Sequence, residues 1–193
     1  MKNFTLTTLV LSCALFAFGP AHAVDLVGAW QPTLQTTSGM LQLNGTGLRM
    51  QGANGLYTAG LYLEHKQGTS EAVLGDTGAR QLKVVMLREA SASEMGELLA
   101  GAMVANASDE ELVQLAPVLF RLGEMFGEQK KLAAGDSFQI DWQPGLGTAI
   151  SVNGRPQGER FSQPELFNAM LRMWLGKQPA DGALKNALLG QAV

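Results

Sequence analysis

The stretch LNGTGLRMQGANGLYTAGLYLE, residues 43–64, decides the fold class of this chain. It predicts two β-strands, near residues 40–50 and 56–64, because runs of strand-forming residues are separated by glycine-rich turns. Arg49 is the charged residue that interrupts the first strand, and the second strand carries apolar or aromatic residues on both faces. An unpaired guanidinium buried in such a sheet would be strongly destabilising. Arg49 therefore either points to water or binds an anion.

Strand patterns recur on both sides of a long helical block. Residues 80–89, RQLKVVMLRE, predict a strand, and residues 137–156 predict two more, joined by a turn that contains two glycines. Before residue 40, polar turns and strand-forming residues predict the beginning of the same sheet.

The helical segments lie between these strands and at the end of the chain. Residues 91–136 have helical spacing, and Ser108 with Glu111 forms a capping-box pattern. Residues 161–190 predict two further helices, with Ser162 as the cap of the first. Strands and helices in separate blocks indicate an α+β fold, in which an antiparallel sheet packs against a helical layer.

The first 23 residues have the pattern of a secretory signal peptide. Lys2 gives a positive start, an apolar run follows, and Ala-His-Ala at residues 21–23 is a small-residue cleavage site. We expect a mature domain of residues 24–193 in the periplasm or the extracellular medium. The alternative is a lipoprotein anchored through Cys13. The apolar run is shorter than the roughly 20 residues that a membrane-spanning helix needs, so no membrane span is predicted.

The composition of the predicted mature chain restricts its function. Without the leader, the chain has no cysteine and carries 13 basic and 17 acidic side chains, a net charge of −4. An acidic chain is a poor partner for nucleic acids and anionic membranes. About 170 residues suit one domain with a sizeable core, which here is stabilised without disulfide bonds.

The motifs of most enzyme classes are missing from the sequence. Outside the leader, the chain has one histidine, His65, and no cysteine, so the usual ligands of a zinc site are missing. No motif of the sequence places His65 in a Ser-His-Asp triad. We interpret His65 as a solvated residue at a strand end, and its alternative role is a haem or metal ligand. No cofactor is predicted. The many methionines are more typical of an adaptable core than of a metal site.

Several segments, taken in order, resemble the chalcone isomerase family. They are LNGTGLR, GLYLE, KVVM, GDSFQIDWQPGLGT, VNG and NAMLRMWLG. The chain looks most like the exported, bacterial chalcone-isomerase-like branch of that family. The resemblance implies an open-faced β-sandwich, in which helices cover a large antiparallel sheet and a cleft lies between the two layers. It also implies either isomerisation of a chalcone to a flavanone or the binding of a fatty acid.

The resemblance also assigns the residues of the cleft. Arg49 matches the arginine that stabilises charge on the substrate oxygen of the enzymes. Tyr57 takes the place of a threonine, Met95 of a tyrosine, Ala102 of an asparagine, and Phe167 of a final hydroxyl residue. One polar position of five is thus retained. Because a single oxyanion donor contributes about 2.7–4 kcal/mol to catalysis, we expect no chalcone isomerase activity.

Three functions remain open at this stage. The first is binding of a small amphipathic or aromatic ligand, such as a fatty acid, by Arg49, Tyr57 and Met95. The second is an isomerase or intramolecular lyase that uses Arg49 to stabilise an enolate. The third is a structural or partner-binding protein, in which an internal acid or backbone carbonyls satisfy Arg49.

Overall fold

A seven-stranded antiparallel sheet forms the centre of the computed structural model, which describes residues 30–128 and 130–191. The predicted leader lies outside the described residues. The strand order is β1-β2-β3-β4-β7-β8-β9, and a separate pair consists of β5 and β6. The strands are β1 (Thr33–Thr36), β2 (Gly39–Gln51), β3 (Asn54–Leu63), β4 (Arg80–Met86), β5 (Ala90–Ser91), β6 (Lys131–Leu132), β7 (Ser137–Gln143), β8 (Gly147–Val152) and β9 (Arg155–Pro156).

The two strands of the glycine-rich stretch form the longest pairing in the sheet. Strands β2 and β3 correspond to the predicted strands and pair in antiparallel register from Gln42↔Leu63 to Gln51↔Asn54. The register shifts at Asn44 and again next to Arg49, and such bulges bend a strand and redirect its side chains. The sheet consequently curls, and its two faces have different surroundings.

The helices are α1 (Ser70–Gly75), α2 (Ala92–Val104), α3 (Asp109–Glu128), α4 (Pro164–Leu175) and α5 (Gly182–Leu188). The predicted capping box is present, since the Ser108 amide donates to Glu111 and the Glu111 amide donates to Ser108. The predicted cap at Ser162 is wrong. Gln163 occupies the N-cap of α4 without a side-chain hydrogen bond, because Pro164 fixes the helical backbone at the next position.

The main core lies between the helices and one face of the sheet. Alternate residues of each strand face the helices, as strand geometry requires. On β4 these are Leu82, Val84 and Met86, all at most 2% exposed. The opposite face, which we call the open face, carries a smaller apolar cluster around Tyr62 and Leu41 next to Trp30. Strand β3 is thus buried on both sides, which explains its continuous apolar sequence.

The last helix packs directly on β2, where two glycines leave room for it. A Cβ atom on Gly45 would lie 2.1 Å from the Ala187 carbonyl oxygen, and one on Gly47 would lie 2.7 Å from the Ala187 Cβ. The buried side chain of Asn44 donates to the carbonyl oxygens of Leu188 and Gln67. The glycines and Asn44 therefore hold α5 close to β2. Asp181, the residue before α5, is thereby held close to Arg49.

Candidate functional site

Arg49 and Tyr57 are direct neighbours across the β2–β3 pairing. Residues opposite each other in an antiparallel pair project from the same face of the sheet. Tyr57 belongs to the core on the helical side, so the guanidinium and the phenol both lie between the sheet and the helices. The bulge next to Arg49 sets this register.

An internal carboxylate meets the guanidinium of Arg49. Arg49 Nη1 donates to Oδ2 of Asp181 at 3.2 Å, and the side chains of Arg49 and Asp181 are 24% and 16% exposed, respectively. Asp181 also caps α5, because its Oδ1 accepts a hydrogen bond from the Leu184 amide at 3.1 Å. The structure thus contains the internal acid that the third alternative assigns to Arg49. The sequence did not predict Asp181 as its partner.

Tyr57 is a buried phenol with a fixed orientation. It is 3% exposed, and its oxygen accepts a hydrogen bond of 3.1 Å from Trp174 Nε1. Burial raises the pKa of Tyr57 to about 12, although the Trp174 hydrogen bond and the charge of Arg49 act in the opposite direction. The phenol therefore stays protonated at physiological pH, and its O–H group is a hydrogen-bond donor.

Arg49 and Tyr57 line a cavity of about 80 Å³, which we call the Arg49 cavity. Its remaining lining is apolar and comes mostly from α2: Met95, Leu98, Leu99, Ala102 and Ala180. The structure thus brings Arg49, Tyr57 and Met95 together, along with Ala102. It does not bring Phe167 to this lining. Phe167 is fully buried elsewhere, beneath the guanidinium of Arg80 at 4.8 Å from the ring centroid.

The size of the Arg49 cavity limits what it can hold. Sites for drug-sized ligands measure about 300–1,000 Å³, so 80 Å³ accommodates a polar head group or a few atoms. The donors are at one wall and the apolar residues of α2 form another. This arrangement suits a ligand with one polar end and an apolar remainder.

His65 lies exposed just beyond the end of β3. No group of three or more histidine, cysteine, aspartate or glutamate side chains with metal-binding geometry occurs among residues 30–128 and 130–191. Over the same ranges, no helix has both the length and the apolar character needed to cross a bilayer.

Comparison with known sequences assigns the chain to a family. The sequence model described as chalcone isomerase-like matches residues 25–190. The chain belongs to the chalcone isomerase-like family. No curated protein matches the sequence significantly.

A solved structure of similar fold is that of a fatty-acid binding protein from Arabidopsis thaliana. The similarity has a TM-score of 0.58 at 14% sequence identity and covers 83% of this chalcone isomerase-like chain and 90% of the plant chain. At that identity, the similarity establishes the fold alone. It confirms the predicted open-faced arrangement, in which helices cover one face of a large antiparallel sheet.

Proposed function

We propose that this chalcone isomerase-like protein binds a small amphipathic ligand, such as a fatty acid, in the Arg49 cavity without catalysing chalcone cyclisation. One observation carries the proposal: Arg49 and Tyr57 place two hydrogen-bond donors at a cavity whose other lining is apolar. A guanidinium and a protonated phenol together suit a carboxylate, which accepts hydrogen bonds on both oxygens.

The apolar part of such a ligand needs more room than the closed cavity offers. Four of the seven lining residues belong to α2, so displacement of this one helix enlarges the cavity. Leu98 lines the cavity and is also 39% exposed, which supports an opening beside α2. In this proposal, the head group meets Arg49 while the tail separates α2 from the sheet.

The similar fold of a plant fatty-acid binding protein supports a ligand of this class. The cavity walls support binding rather than isomerisation. Met95 and Ala102 occupy positions where the resemblance expects polar groups of the enzymes, and neither side chain can donate or accept a strong hydrogen bond at a reacting oxygen. Stereoselective flavanone formation above the spontaneous rate would instead establish the isomerase alternative.

Calorimetric titration with palmitate tests the binding proposal. Arg49→Gln should weaken palmitate binding roughly 10- to 100-fold, because a charged hydrogen bond contributes about 1.5–3 kcal/mol. Arg155→Gln is the matched control, since Arg155 is exposed on β9 and should leave binding unchanged. Absence of palmitate binding by the wild type, or equal binding by Arg49→Gln, would overturn the proposal.

Export of the protein is a separate part of the proposal. It rests on the leader pattern of residues 1–23. N-terminal sequencing of the protein isolated from its native compartment should begin at Val24. A mature chain that begins with lipid-modified Cys13 would show an anchored lipoprotein instead.

A further inference from the structure

The open face of the sheet, opposite the helices, carries a long groove. Two adjoining cavities of about 530 and 680 Å³ lie along it. The two cavities share four lining residues, all of them polar: Gln35, Thr36, Gln81 and Gln139. We call the combined depression the open-face groove. Each of its two parts is within the size range of small-molecule sites, about 300–1,000 Å³.

The floor of the groove is built from polar cross-strand pairs. Gln81 lies opposite Asp141, and Lys83 lies opposite Gln139, across the β4–β7 pairing. The Asp141 carboxylate accepts a hydrogen bond from the Gln81 amide on Oδ1 and another from Gln139 Nε2, at 3.1 Å, on Oδ2. These bonds hold one carboxylate and two amides in fixed positions, where a freely solvated sheet face would have mobile side chains.

Three polar side chains of the groove are shielded from water. Gln81 is 9%, Thr58 3% and Ser151 6% exposed, although all three lie on the face that no helix of residues 30–128 and 130–191 covers. The turn between β1 and β2 reaches across this face, where Thr37 Oγ1 lies 2.7 Å from Oε1 of Gln143. The turn therefore forms a wall, and the groove is a partly enclosed site.

Aromatic residues close one end of the groove. The rings of Trp30 and Tyr62 are 6.3 Å apart and tilted by 46°. Trp30 packs on the backbone of Gly60, where a Cβ atom would lie 2.7 Å from the indole ring. An indole fixed in this way offers an apolar surface beside the polar floor, and the CH groups of a sugar ring can pack against such a surface.

The charges of the groove favour a neutral ligand. Asp141 and Glu159 would repel an anion, and Lys83 and Arg160 would repel a cation. The amides of Gln35, Gln81 and Gln139 each present both a donor and an acceptor, which matches hydroxyl groups that also donate and accept. We propose that the open-face groove binds an uncharged, polyhydroxylated ligand of about one or two sugar rings.

This site is independent of the Arg49 cavity. Thr58 and Tyr62 of β3 line the groove, whereas Tyr57 and Ala59 of the same strand face the helical side. Successive residues of a strand project from opposite faces. The sheet itself thus separates the two sites, and failure of one proposal leaves the other standing.

Tryptophan fluorescence and saturation-transfer NMR test the groove with glucose, maltose, trehalose and N-acetylglucosamine. Trp142 and Trp174 are 8% and 1% exposed, so a sugar in the groove should change mainly the emission of Trp30. At least one of the four sugars should bind saturably. Gln139→Leu, which removes a shared amide, and Lys83→Met, at the other part of the floor, should each weaken binding about 10-fold or more, as loss of one or two buried hydrogen bonds predicts.

Gln114→Leu is the matched control, because Gln114 is exposed on α3, away from the groove. It should leave sugar binding unchanged. The proposal is overturned if none of the four sugars binds saturably at about 50 mM, which exceeds the millimolar range of weak specific binding. It is also overturned if both groove variants fold and bind a sugar as tightly as the wild type.

Discussion

Arg49, which lines the Arg49 cavity, and Asp181, 132 positions later in the sequence, form an ion pair of 3.2 Å. The pair joins β2 to the N-cap of α5. It answers the question that a charged residue in this strand raises, because the guanidinium has an internal anion as its partner. A ligand carboxylate must therefore compete with Asp181 or share Arg49 with it.

A double-mutant cycle with Arg49→Gln and Asp181→Asn should measure the strength of this pair. Exposed ion pairs contribute about 0–1 kcal/mol and the loss of one buried partner costs about 3–5 kcal/mol. For these half-buried side chains we expect a coupling of about 1–2 kcal/mol in urea denaturation. Asparagine is as good an N-cap as aspartate, so Asp181→Asn keeps α5. A coupling near zero would show that the contact does not stabilise the fold.

Asp181→Asn should strengthen ligand binding, whereas Arg49→Gln should weaken it. Asp181→Asn removes the negative charge that competes for the guanidinium, so the cavity becomes more favourable for an anion. We expect palmitate to bind roughly 10-fold more tightly, which corresponds to about 1.4 kcal/mol. Calorimetric titration measures this change directly.

Weaker palmitate binding by Asp181→Asn would contradict this view of Asp181. It would show that the carboxylate serves to position Arg49 rather than to compete with the ligand. Hexadecan-1-ol, which has the same chain length as palmitate and an uncharged head group, is the control, because its affinity should depend little on the charge at position 181.

Sequence patterns predict most of this fold for an identifiable reason. The alternation in SFQIDWQ follows the two-residue period of strands, and β7 appears there. Strands β2 and β3 appear where runs of strand-forming residues are separated by glycine-rich turns. Ser108 and Glu111 interact locally, so their capping box is readable from spacing. Ser162 failed as a cap because Pro164 shifts the start of α4 to the next residue.

The partner of Arg49 has no comparable local signal. Asp181 precedes a short helix, and this position predicts an N-cap. The contact of Asp181 with Arg49 depends on how α5 packs on β2, which is a tertiary arrangement. The Trp174 hydrogen bond to Tyr57 is of the same kind. In contrast, Arg49 and Tyr57 become neighbours through the register of one hairpin, and the family resemblance supplied the remaining position, Met95.

Tyr57 should make stability depend on alkaline pH. The fold raises its pKa to about 12, compared with about 10 in an unfolded chain. Below pH 10 the Tyr57 phenol is protonated in both the folded and the unfolded state, so it does not lower the free energy of unfolding. Above pH 10 the unfolded state loses the proton first, so stability falls until the pH passes about 12.

Comparison with Tyr57→Phe isolates this contribution. Between pH 9 and pH 11, the wild type should lose about 1.4 kcal/mol more unfolding free energy than Tyr57→Phe. Urea denaturation at each pH gives both values, and groups common to the two proteins, including Tyr62, cancel in the difference. Parallel pH profiles would show that Tyr57 ionises in the fold as easily as in the unfolded chain.

Gly45 should be essential for placing α5, and through it Asp181. An added Cβ would meet the carbonyl oxygens of Ala187 at 2.1 Å and Leu188 at 2.7 Å. These atoms belong to the backbone, so they cannot move aside without shifting the helix. We expect Gly45→Ala to lower the free energy of unfolding by about 2–3 kcal/mol, as overpacking of a close contact does.

Gly68→Ala is the control for this substitution, because nothing lies within 4 Å of the added Cβ. It should change stability by less than about 1 kcal/mol. If α5 moves away from β2, Asp181 moves with it, so the Arg49–Asp181 coupling should vanish when the double-mutant cycle is repeated in Gly45→Ala. A Gly45→Ala protein with unchanged stability and full coupling would show that α5 does not depend on this close approach, and that another contact places Asp181 beside Arg49.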